Sequence, residues 1–328
     1  MKAVILAAGF GKRMGELTKY LPKPLIPVTN KPIIQHLIES LCESGIEDYL
    51  IVVGYQKDQI KLFLEKYQAT GIKLKVVEAE NFQKGPIHSF AACLTEINKE
   101  EFILIPGDFI VEPSVISHFL TESKSFNFVL AFDNRKKTSH QITILLSGNQ
   151  KKRYVTEFPS NRIGEKSERS FLVPMLICRI NFEPYIQKSI ALNYTKVMDA
   201  VKLFLEEKNE LNAVEIKDGS WFDLDTIQDV LAANKFLLNH LERNYSCADN
   251  LDYFNSRKIK LIKPLMIGKN CHFEDNCLIG PYVTIGENCF IGKGALIRNS
   301  IVCPNSKIPP NIILNNAIFF KSIFSINR

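Results

Sequence analysis

The chain has 328 residues, with 41 lysines and arginines against 35 aspartates and glutamates, which gives a formal net charge of +6. Hydrophobic residues make up 46% of it and charged residues 23%, a globular composition that excludes a largely disordered chain. The length suggests about two domains, no apolar run is long enough for a membrane span, and the small charge excess does not by itself indicate a nucleic-acid-binding face, which needs clustered basic residues.

The first apolar run, Ala3–Leu6, superficially resembles the core of a signal peptide. Because the chain continues directly into Lys12 and Arg13 and then into a proline-rich loop, we interpret the run as a buried strand. Eight cysteines without a secretory signal indicate reduced thiols rather than disulfides. Together these features predict a cytoplasmic protein.

Short apolar runs alternate with amphipathic stretches in the first third of the chain. The runs that predict strands are Ala3–Leu6, Leu50–Val53, Leu74–Val77 and Phe102–Ile105, and the stretches that predict helices are Pro32–Ser44, Asp58–Tyr67 and His88–Glu96. Such alternation predicts a doubly wound, Rossmann-like α/β fold with parallel strands. Ligands bind such sheets at the carboxyl ends of the strands, so the residues after Leu6 and Ile105 are candidates for a functional site.

The segment Asp133–Arg169 is polar and basic, with Arg135 among its charged residues. Charge runs of this kind usually form solvated faces, and we interpret this one in the same way, with a functional basic patch as the alternative. We expect this segment to form antiparallel strands that are inserted over the site.

From Ile267 onward the sequence follows a different period. An apolar residue recurs every six positions at Ile267, Phe273, Ile279, Ile285, Ile291, Ile297 and Cys303. This hexapeptide period predicts a left-handed parallel β-helix, here of little more than two coils. Glycines that follow several of these positions would permit the tight corners.

The hexapeptide register also explains several cysteines and fixes the domain division. The cysteines at inward positions, expected to be small apolar fillers, are Cys271, Cys277, Cys289 and Cys303. The polar segment before the repeats contains turn residues, so we place the boundary near Tyr253. The α/β domain then covers residues 1–252 and the β-helix covers residues 253–328.

Two glycines and two basic residues follow the first strand. Gly9 and Gly11 expose backbone N–H groups that can donate hydrogen bonds to phosphate oxygens. Arg13 and Lys23 add positive charge at the same strand end, and prolines on both sides of Lys23 stiffen its loop. The motif is not a P-loop, since no Gly-Lys-Ser/Thr follows at the required spacing. The combination predicts a polyphosphate site.

These residues belong to longer motifs, LAAGFGKR at Leu6–Arg13 and PKPLIPV at Pro22–Val28, followed by NKPII at Asn30–Ile34. The motifs resemble the signature of the sugar-1-phosphate nucleotidyltransferases, many of which carry a carboxy-terminal hexapeptide β-helix. The resemblance implies that Arg13 and Lys23 are catalytic, because they would bind the nucleotide phosphates and assist the departure of pyrophosphate. It also implies nucleotide contacts from Leu6, Ala8, Gly9 and Gly11.

Two later motifs resemble the metal site of the same family. Ile105–Asp108 reads IPGD, similar to a motif whose aspartate binds Mg²⁺, and Gly219–Thr226 reads GSWFDLDT, similar to GxWxDxGT. The resemblance implies a Mg²⁺ cofactor held by Asp108, which also counts as catalytic, and by Asp223. Mg²⁺ suits such a site because it prefers a few carboxylate oxygens together with phosphates and water. Asp225 stands where the family usually has glycine and could compete as a ligand.

The segment Glu80–Ser89 occupies the place of the family's base-reading motif, Q-x4-GTA-x-A. Glu80 can accept hydrogen bonds from guanine or from the cytosine amino group, but it lacks a donor for a uracil carbonyl. Mannose-1-phosphate guanylyltransferases often carry glutamate here, so the resemblance modestly favours GTP. The expected nucleotide-binding residues are Glu80, Gln83 and Gly85. The alternative is that Glu80 faces solvent and that Gln83 reads the base.

The acceptor motif departs most from the family. Val155–Phe158 matches the start of V-x-x-F-x-E-K-P, but the lysine that holds the phosphate of the sugar phosphate is missing. Arg162 or Lys166 would replace it as acceptor-binding residues, with arginine acting as a bidentate clamp rather than as a point charge. The acceptor is therefore open between an unusual sugar phosphate, a non-sugar phosphate such as phosphocholine or inositol phosphate, and no acceptor at all.

We predict an enzyme that joins a nucleoside triphosphate to a phosphorylated acceptor, giving a nucleoside diphosphate sugar and pyrophosphate with Mg²⁺. The alternatives are a non-catalytic regulatory or assembly relative and a cytidylyltransferase for a non-sugar phosphate. Acyl transfer by the β-helix is not favoured, because only His272 lies in the hexapeptide region as a general base. The expected partners are the two small-molecule substrates and further copies of this chain in a homo-oligomer, without nucleic acid or membrane.

Overall fold

The computed structural model describes residues 1–67, 71–98, 100–135, 142–149, 152–159, 169–240, 251–321 and 323–326. The chain divides into two compact units. The first comprises Met1–Gly9 and Leu37–Trp221, and the second comprises Phe10–His36 and Phe222–Arg328. These two units are not the two predicted domains, which are consecutive in the sequence. The predicted boundary between residues 252 and 253 stays a prediction.

The elements before the hexapeptide region alternate between strands and helices. The strands are β1 (Lys2–Ala7), β2 (Pro27–Val28), β3 (Lys31–Pro32), β4 (Asp48–Val53), β5 (Lys73–Glu78), β6 (Phe102–Pro106), β7 (Phe109–Val111), β8 (Phe128–Asp133), β9 (Thr143–Asn149), β10 (Lys152–Glu157), β11 (Arg169–Cys178), β12 (Asn212–Glu215) and β13 (Trp221–Asp223). The α-helices are α1 (Ile33–Glu43), α2 (Lys57–Lys66), α3 (Pro86–Ala91), α4 (Leu94–Ile97), α5 (Pro113–Glu122), α6 (Glu183–Ala191), α7 (Val197–Glu206), α8 (Ile227–His240) and α9 (Leu251–Ser256). Short 3-10 helices cover Lys12–Lys19, Lys23–Leu25 and Phe82–Lys84.

Nine strands of the first unit form one sheet in the order β5-β4-β1-β6-β11-β8-β12-β10-β9. β1 pairs in parallel with both β4 and β6, and β4 pairs in parallel with β5, so the predicted α/β fold is confirmed. The sheet is not wholly parallel, because β11 runs antiparallel to β6 and β8. β9 and β10 are antiparallel strands at the edge of this sheet. The carboxyl ends of the parallel strands β1, β4 and β6 therefore lie next to one another.

Apolar side chains explain why the central strands are buried. Val4, Leu50 and Leu104 are at most 6% exposed and belong to one hydrophobic cluster. Phe128 contributes to the same cluster, where its ring packs edge-on against that of Phe204 with centroids 4.9 Å apart. Strands that are covered on both faces read as continuous apolar runs, which is why these strands could be recognised from the sequence.

The hexapeptide region forms the parallel β-helix that its period predicts. Its strands are β14 (Lys260–Leu261), β15 (Leu265–Ile267), β16 (His272–Phe273), β17 (Leu278–Ile279), β18 (Val283–Ile285), β19 (Phe290–Ile291), β20 (Leu296–Arg298), β21 (Ser300–Val302), β22 (Lys307–Ile308), β23 (Ile313–Asn315), β24 (Ala317–Phe320) and β25 (Ile323–Ile326). They form three sheets, β14-β17-β20-β23, β15-β18-β21-β24-β25 and β16-β19-β22, in which only β25 is antiparallel to its neighbour. Two faces have four parallel layers, so the expectation of little more than two coils is wrong.

The repeat loses one residue at a corner, which the six-residue period does not reveal. Ile285 pairs with Val302, a separation of 17 residues, whereas Ile279 pairs with Ile297 at a separation of 18. Val302 therefore takes the position that the strict period assigns to Cys303. Both side chains are fully buried, so hydrophobicity alone cannot distinguish the two registers.

Asparagine, rather than glycine, supplies most of the left-handed corner residues. The asparagines with positive φ in the β-helix are Asn270, Asn276, Asn288, Asn299, Asn305, Asn311 and Asn316. Asparagine tolerates this conformation better than other residues with a side chain. Gly286 instead permits close packing between coils, because a Cβ atom there would lie 2.4 Å from the backbone nitrogen of Pro304. The predicted role of the glycines is thus wrong for this position.

One face of the β-helix packs within the second unit against the segment that follows the proline-rich loop. Thr29 and Asn30 turn the chain between β2 and β3, both with positive φ. The Thr29 N–H and the Thr284 hydroxyl donate to the same amide oxygen of buried Asn234, at 3.0 and 2.8 Å. The Asn30 side chain donates to the carbonyl oxygen of Ile285 at 3.0 Å. These bonds join α8, the β2–β3 turn and β18.

The cysteines agree with the prediction of reduced thiols. Seven of them lie in the described ranges, and none of these seven forms a disulfide. Cys277, Cys289 and Cys303 are buried as expected of apolar fillers, whereas Cys271 is partly exposed. Among the described residues, no helix combines the length and the hydrophobicity that crossing a membrane requires.

Candidate nucleotide-binding site

The end of β1 carries the first part of the candidate site. The N–H of Gly107, just after β6, donates to the Leu6 carbonyl oxygen at 2.8 Å, and the Tyr55 N–H donates to the Ala8 carbonyl oxygen at 3.0 Å. A Cβ atom on Gly107 would lie 2.9 Å from the Cβ atom of Ala7, so only glycine allows this approach. Asp108 follows directly and is half-buried. The predicted residues Leu6, Ala8 and Asp108 therefore share one end of the sheet.

The predicted base-reading residues lie in a loop after β5. Glu80 and Gln83 are both exposed, and Gln83 lies in the 3-10 helix Phe82–Lys84. Gly85 has a φ of +120°, and a Cβ atom there would lie 2.6 Å from the carbonyl oxygen of Thr195. Both facts explain why position 85 is a glycine, and α3 begins at the next residue. Base contact by Glu80, with Gln83 as the alternative, stays a prediction.

Three of the predicted phosphate-binding residues, Gly11, Arg13 and Lys23, belong to the second unit. Gly11 has a φ of +64°, and the Thr18 hydroxyl donates to its carbonyl oxygen at 3.1 Å. Lys23 opens the 3-10 helix Lys23–Leu25 directly after Pro22, and only 8% of its side chain is exposed. A Cβ atom on Gly11 would lie 3.1 Å from the Cβ atom of Lys23. The loop that contains Gly9 and Gly11, called the glycine loop below, therefore lies close to this lysine. Gly9, which ends the first unit's amino-terminal segment, is exposed.

Arg13 and Lys23 converge on one carboxylate oxygen. Oδ1 of Asp225 accepts from Nη2 of Arg13 at 2.8 Å and from Nζ of Lys23 at 3.2 Å. Asp225 lies two residues before α8, whose first turn is capped by reciprocal hydrogen bonds between Thr226 and Asp229. Arg13 and Lys23 thus contact the same side chain, and the sequence motifs did not indicate that this side chain would be Asp225. Their role as phosphate-binding residues stays a prediction.

Asp223 lies beside Asp225. A carboxylate oxygen of each lies within 4.8 Å of the other, and Asp223 is exposed whereas Asp225 is half-buried. Carboxylate oxygens are suitable ligands for Mg²⁺, so the donor chemistry of these residues fits the expected metal. Asp108 belongs to the first unit and Asp223 to the second. Their joint role as metal ligands stays a prediction.

An ion pair between the buried Asp133 carboxylate and exposed Arg135 lies beside the indole of Trp221, two residues before Asp223. The fully buried Asp133 carboxylate accepts from Nε and Nη2 of Arg135 at 3.1 and 2.8 Å and from the indole N–H of Trp221 at 2.9 Å. Arg135 also donates to the Gly219 carbonyl oxygen at 3.1 Å. Burial alone would raise the pKa of the Asp133 carboxyl, but the hydrogen bonds from Arg135 and Trp221 outweigh burial and hold this pKa below its ordinary value. Arg135 is thus a structural partner of Asp133, and its side chain is 41% exposed, as expected for a residue of a solvated face.

Replacing Trp221 by phenylalanine tests this arrangement. Trp221→Phe keeps an aromatic ring but leaves Asp133 without one donor, so we expect a loss of about 2 kcal/mol in the free energy of unfolding. Denaturant unfolding of Trp221→Phe, Asp133→Asn and the double variant measures the coupling between the two positions. Strict additivity of the two single effects would contradict a direct hydrogen-bond contribution.

The predicted acceptor residues, Arg162 and Lys166, lie outside the described residues. Of the preceding motif, Val155 is buried in β10 and Glu157 is exposed at its end. The acceptor site therefore stays a prediction.

Comparison with known proteins identifies the family. The family described as "MobA-like NTP transferase domain" matches residues 3–175, and the family described as "GMPPB C-terminal domain" matches residues 261–322. The chain is 32% identical over 254 residues to the bifunctional protein GlmU of Methanococcus maripaludis, covering 74% of this chain and 55% of GlmU. It thus spans about half the length of that relative.

Two further relatives extend the comparison. The chain is 24% identical to probable mannose-1-phosphate guanylyltransferase 3 of Oryza sativa subsp. japonica, with 97% of this chain and 85% of that protein covered. The structure of UDP-glucose pyrophosphorylase from Acinetobacter baumannii shares the fold, with a TM-score of 0.63 at 16% identity over 74% of this chain and 94% of that one. The chain belongs to the sugar-1-phosphate nucleotidyltransferase family and carries a MobA-like NTP transferase domain.

Proposed function

We propose that the protein transfers a nucleotidyl group from a nucleoside triphosphate to a sugar 1-phosphate and releases pyrophosphate. The observation that carries this proposal is the convergence of Arg13 and Lys23 on one anionic oxygen beside the glycine loop. Two cationic donors directed at one anion are suited to hold a phosphate group. The family supports the same reaction.

Catalysis would consist of positioning and electrostatic stabilisation. An oxygen of the acceptor phosphate would attack the α-phosphorus in line, so that no nucleophilic side chain is required. Arg13 and Lys23 would bind the β- and γ-phosphates and stabilise the charge that develops on the departing pyrophosphate. Mg²⁺ bound by Asp108 and Asp223 would supply further neutralisation of the phosphate charges.

Pyrophosphate release is the direct assay. The protein with Mg²⁺ is incubated with each of the four nucleoside triphosphates and with a panel of sugar 1-phosphates, phosphocholine and inositol phosphate. Release that requires both substrates supports the transferase. Nucleotide binding without release from any pair would favour the non-catalytic relative, and release with CTP and a non-sugar phosphate would favour the cytidylyltransferase.

We propose GTP as the nucleotide, with Glu80 as the residue that accepts hydrogen bonds from guanine. The guanylyltransferase names among the relatives support this choice. Glu80→Gln introduces a donor and removes the charge, so we expect the GTP-to-UTP ratio of kcat/KM to fall about tenfold. Glu122→Gln, which changes an exposed glutamate of α5, is the charge-matched control. A shift produced by Gln83→Ala instead would mean that Gln83 reads the base.

The homo-oligomeric state and the cytoplasmic location stay predictions.

A further inference from the structure

Asp225 forms ion pairs with Arg13 and Lys23, the two cationic side chains that the proposed function assigns to the nucleotide phosphates. We propose that Asp225 is an internal competing anion, which keeps nucleotide affinity low until a divalent metal ion binds with the nucleotide. This inference rests on the proposed function and concerns the same site. It goes beyond that function because it assigns a property, metal-dependent nucleotide affinity, to a residue that departs from the family motif.

A carboxylate oxygen competes directly with a phosphate oxygen for the same donors. Both contacts of Asp225 use Oδ1, at 2.8 Å from Nη2 of Arg13 and 3.2 Å from Nζ of Lys23. Each contact is a charge-assisted hydrogen bond, which is the stronger class of hydrogen bond. A phosphate that binds the cation pair must therefore replace or share these bonds.

The local charge of the second unit also gives a metal-free triphosphate no net attraction. Arg13 and Lys23 contribute two positive charges, and Asp225 and Asp223 contribute two negative charges within the second unit. These four side chains sum to zero, whereas glycine in place of Asp225 would leave one positive charge. Mg²⁺ bound together with the triphosphate reduces the negative charge of the ligand, which lowers its repulsion from Asp225 and Asp223.

The ion pair between Lys23 and Asp225 is packed into the protein and is not an ordinary surface contact. The exposed fraction of the side chain is 8% for Lys23 and 16% for Asp225, whereas it is 56% for Arg13. Leu224, the residue before Asp225, is fully buried, and Thr226, the residue after it, caps α8. The Lys23–Asp225 pair is therefore screened less than an exposed pair, so its replacement by phosphate should change nucleotide affinity measurably.

Calorimetric titration of the full chain with pyrophosphate and with GTP tests the proposal, with each titration performed in EDTA and in excess Mg²⁺. Asp225→Asn keeps the shape of the side chain and removes its charge. We expect it to tighten metal-free binding about tenfold or more, so that the ratio of metal-free Kd to Mg²⁺-bound Kd falls. Asp225→Gly should change this ratio in the same direction. Thermal unfolding of each variant verifies that it is folded.

Asp275→Asn is the matched control. Asp275 is an exposed aspartate in the same unit, and its partner is Arg257 rather than Arg13 or Lys23. The substitution removes the same charge, and we expect it to change metal-free Kd by less than about twofold, because exposed charges are well screened.

Three results would overturn the proposal. Metal-free affinity that is unchanged or weaker in Asp225→Asn would exclude competition by the carboxylate. An equally large gain in metal-free affinity in Asp275→Asn would mean that the effect comes from net charge and not from the position of Asp225. A loss restricted to Mg²⁺-bound affinity would make Asp225 a metal ligand instead. If wild type and both variants bind neither probe under any condition, the proposed function itself fails, which distinguishes that failure from the first three.

Discussion

Lys23→Met is expected to lower kcat/KM for pyrophosphate release by about 10²–10³-fold, the effect of removing one preorganised donor to a developing negative charge. Lys23 is suited to this role because its side chain is 8% exposed and its Nζ atom is held beside the Arg13 guanidinium by Asp225. Its loop is stiff, since Pro22 and Pro24 flank it. Methionine preserves the length of the side chain and removes only the charge and the donors.

Lys19→Met is the matched control for this variant. Lys19 lies in the 3-10 helix Lys12–Lys19, is 62% exposed and pairs with Glu16. We expect its kcat/KM within about twofold of wild type, because exposed ion pairs contribute little. Equal activity of Lys23→Met and wild type, or equal losses in both variants, would contradict the assigned role of Lys23.

Asp223→Asn is expected to lower turnover by about 10³-fold or more. A bound metal ion contributes several kcal/mol of charge stabilisation to phosphoryl chemistry, and each 1.4 kcal/mol corresponds to about a tenfold change in rate. Asparagine retains the shape of aspartate but is a poorer ligand for Mg²⁺, which prefers carboxylates. Steady-state rates measured over a range of Mg²⁺ concentrations should show a higher half-saturating concentration of the metal in the variant.

Asp218→Asn controls for the loss of a negative charge in the same segment. Asp218 is exposed and lies five residues before Asp223. We expect its rate and its half-saturating Mg²⁺ concentration to remain within about twofold of wild type. An Asp223→Asn enzyme with the wild-type Mg²⁺ profile would contradict a metal-binding role for Asp223.

Local sequence patterns predicted the elements that lie close to the candidate site. The apolar runs that became β1, β4 and β6 were recognisable because these strands are buried on both faces. The glycine, arginine and lysine pattern after β1 predicted the phosphate loop, and the structure brings Arg13 and Lys23 to one oxygen atom. The predicted helix His88–Glu96 is two short helices, α3 and α4, in the structure.

Long-range partners could not be predicted in the same way. The hydrogen bond between Trp221 and Asp133 joins residues 88 positions apart, and that between Lys23 and Asp225 spans 202 positions. No periodicity or local motif reports such pairs, because they depend on how the strands are ordered. This is why the ion pair between Arg135 and the fully buried carboxylate of Asp133 could not be predicted.

The β-helix shows the same limit within a repeat. The six-residue period identified the fold, but the one-residue deletion after Ile297 left no signal, since Val302 and Cys303 are both apolar and buried. The corners also escaped prediction, because the residues with positive φ there are mostly asparagines, among them Asn288 and Asn305. Positive φ is a property of the backbone that asparagine and glycine share, so composition alone does not assign it.

The central claim, nucleotidyl transfer to a phosphate acceptor, is tested most directly by ³¹P NMR of the reaction mixture. Wild-type protein with Mg²⁺, GTP and mannose 1-phosphate should convert the substrates into pyrophosphate and an equal amount of a sugar-linked diphosphate. Asp108→Asn, which removes the other predicted metal ligand, should give neither product. Release of GMP and pyrophosphate without the sugar-linked diphosphate would show hydrolysis instead of transfer, and no turnover with any nucleotide and phosphate acceptor would show that the fold serves a non-catalytic role.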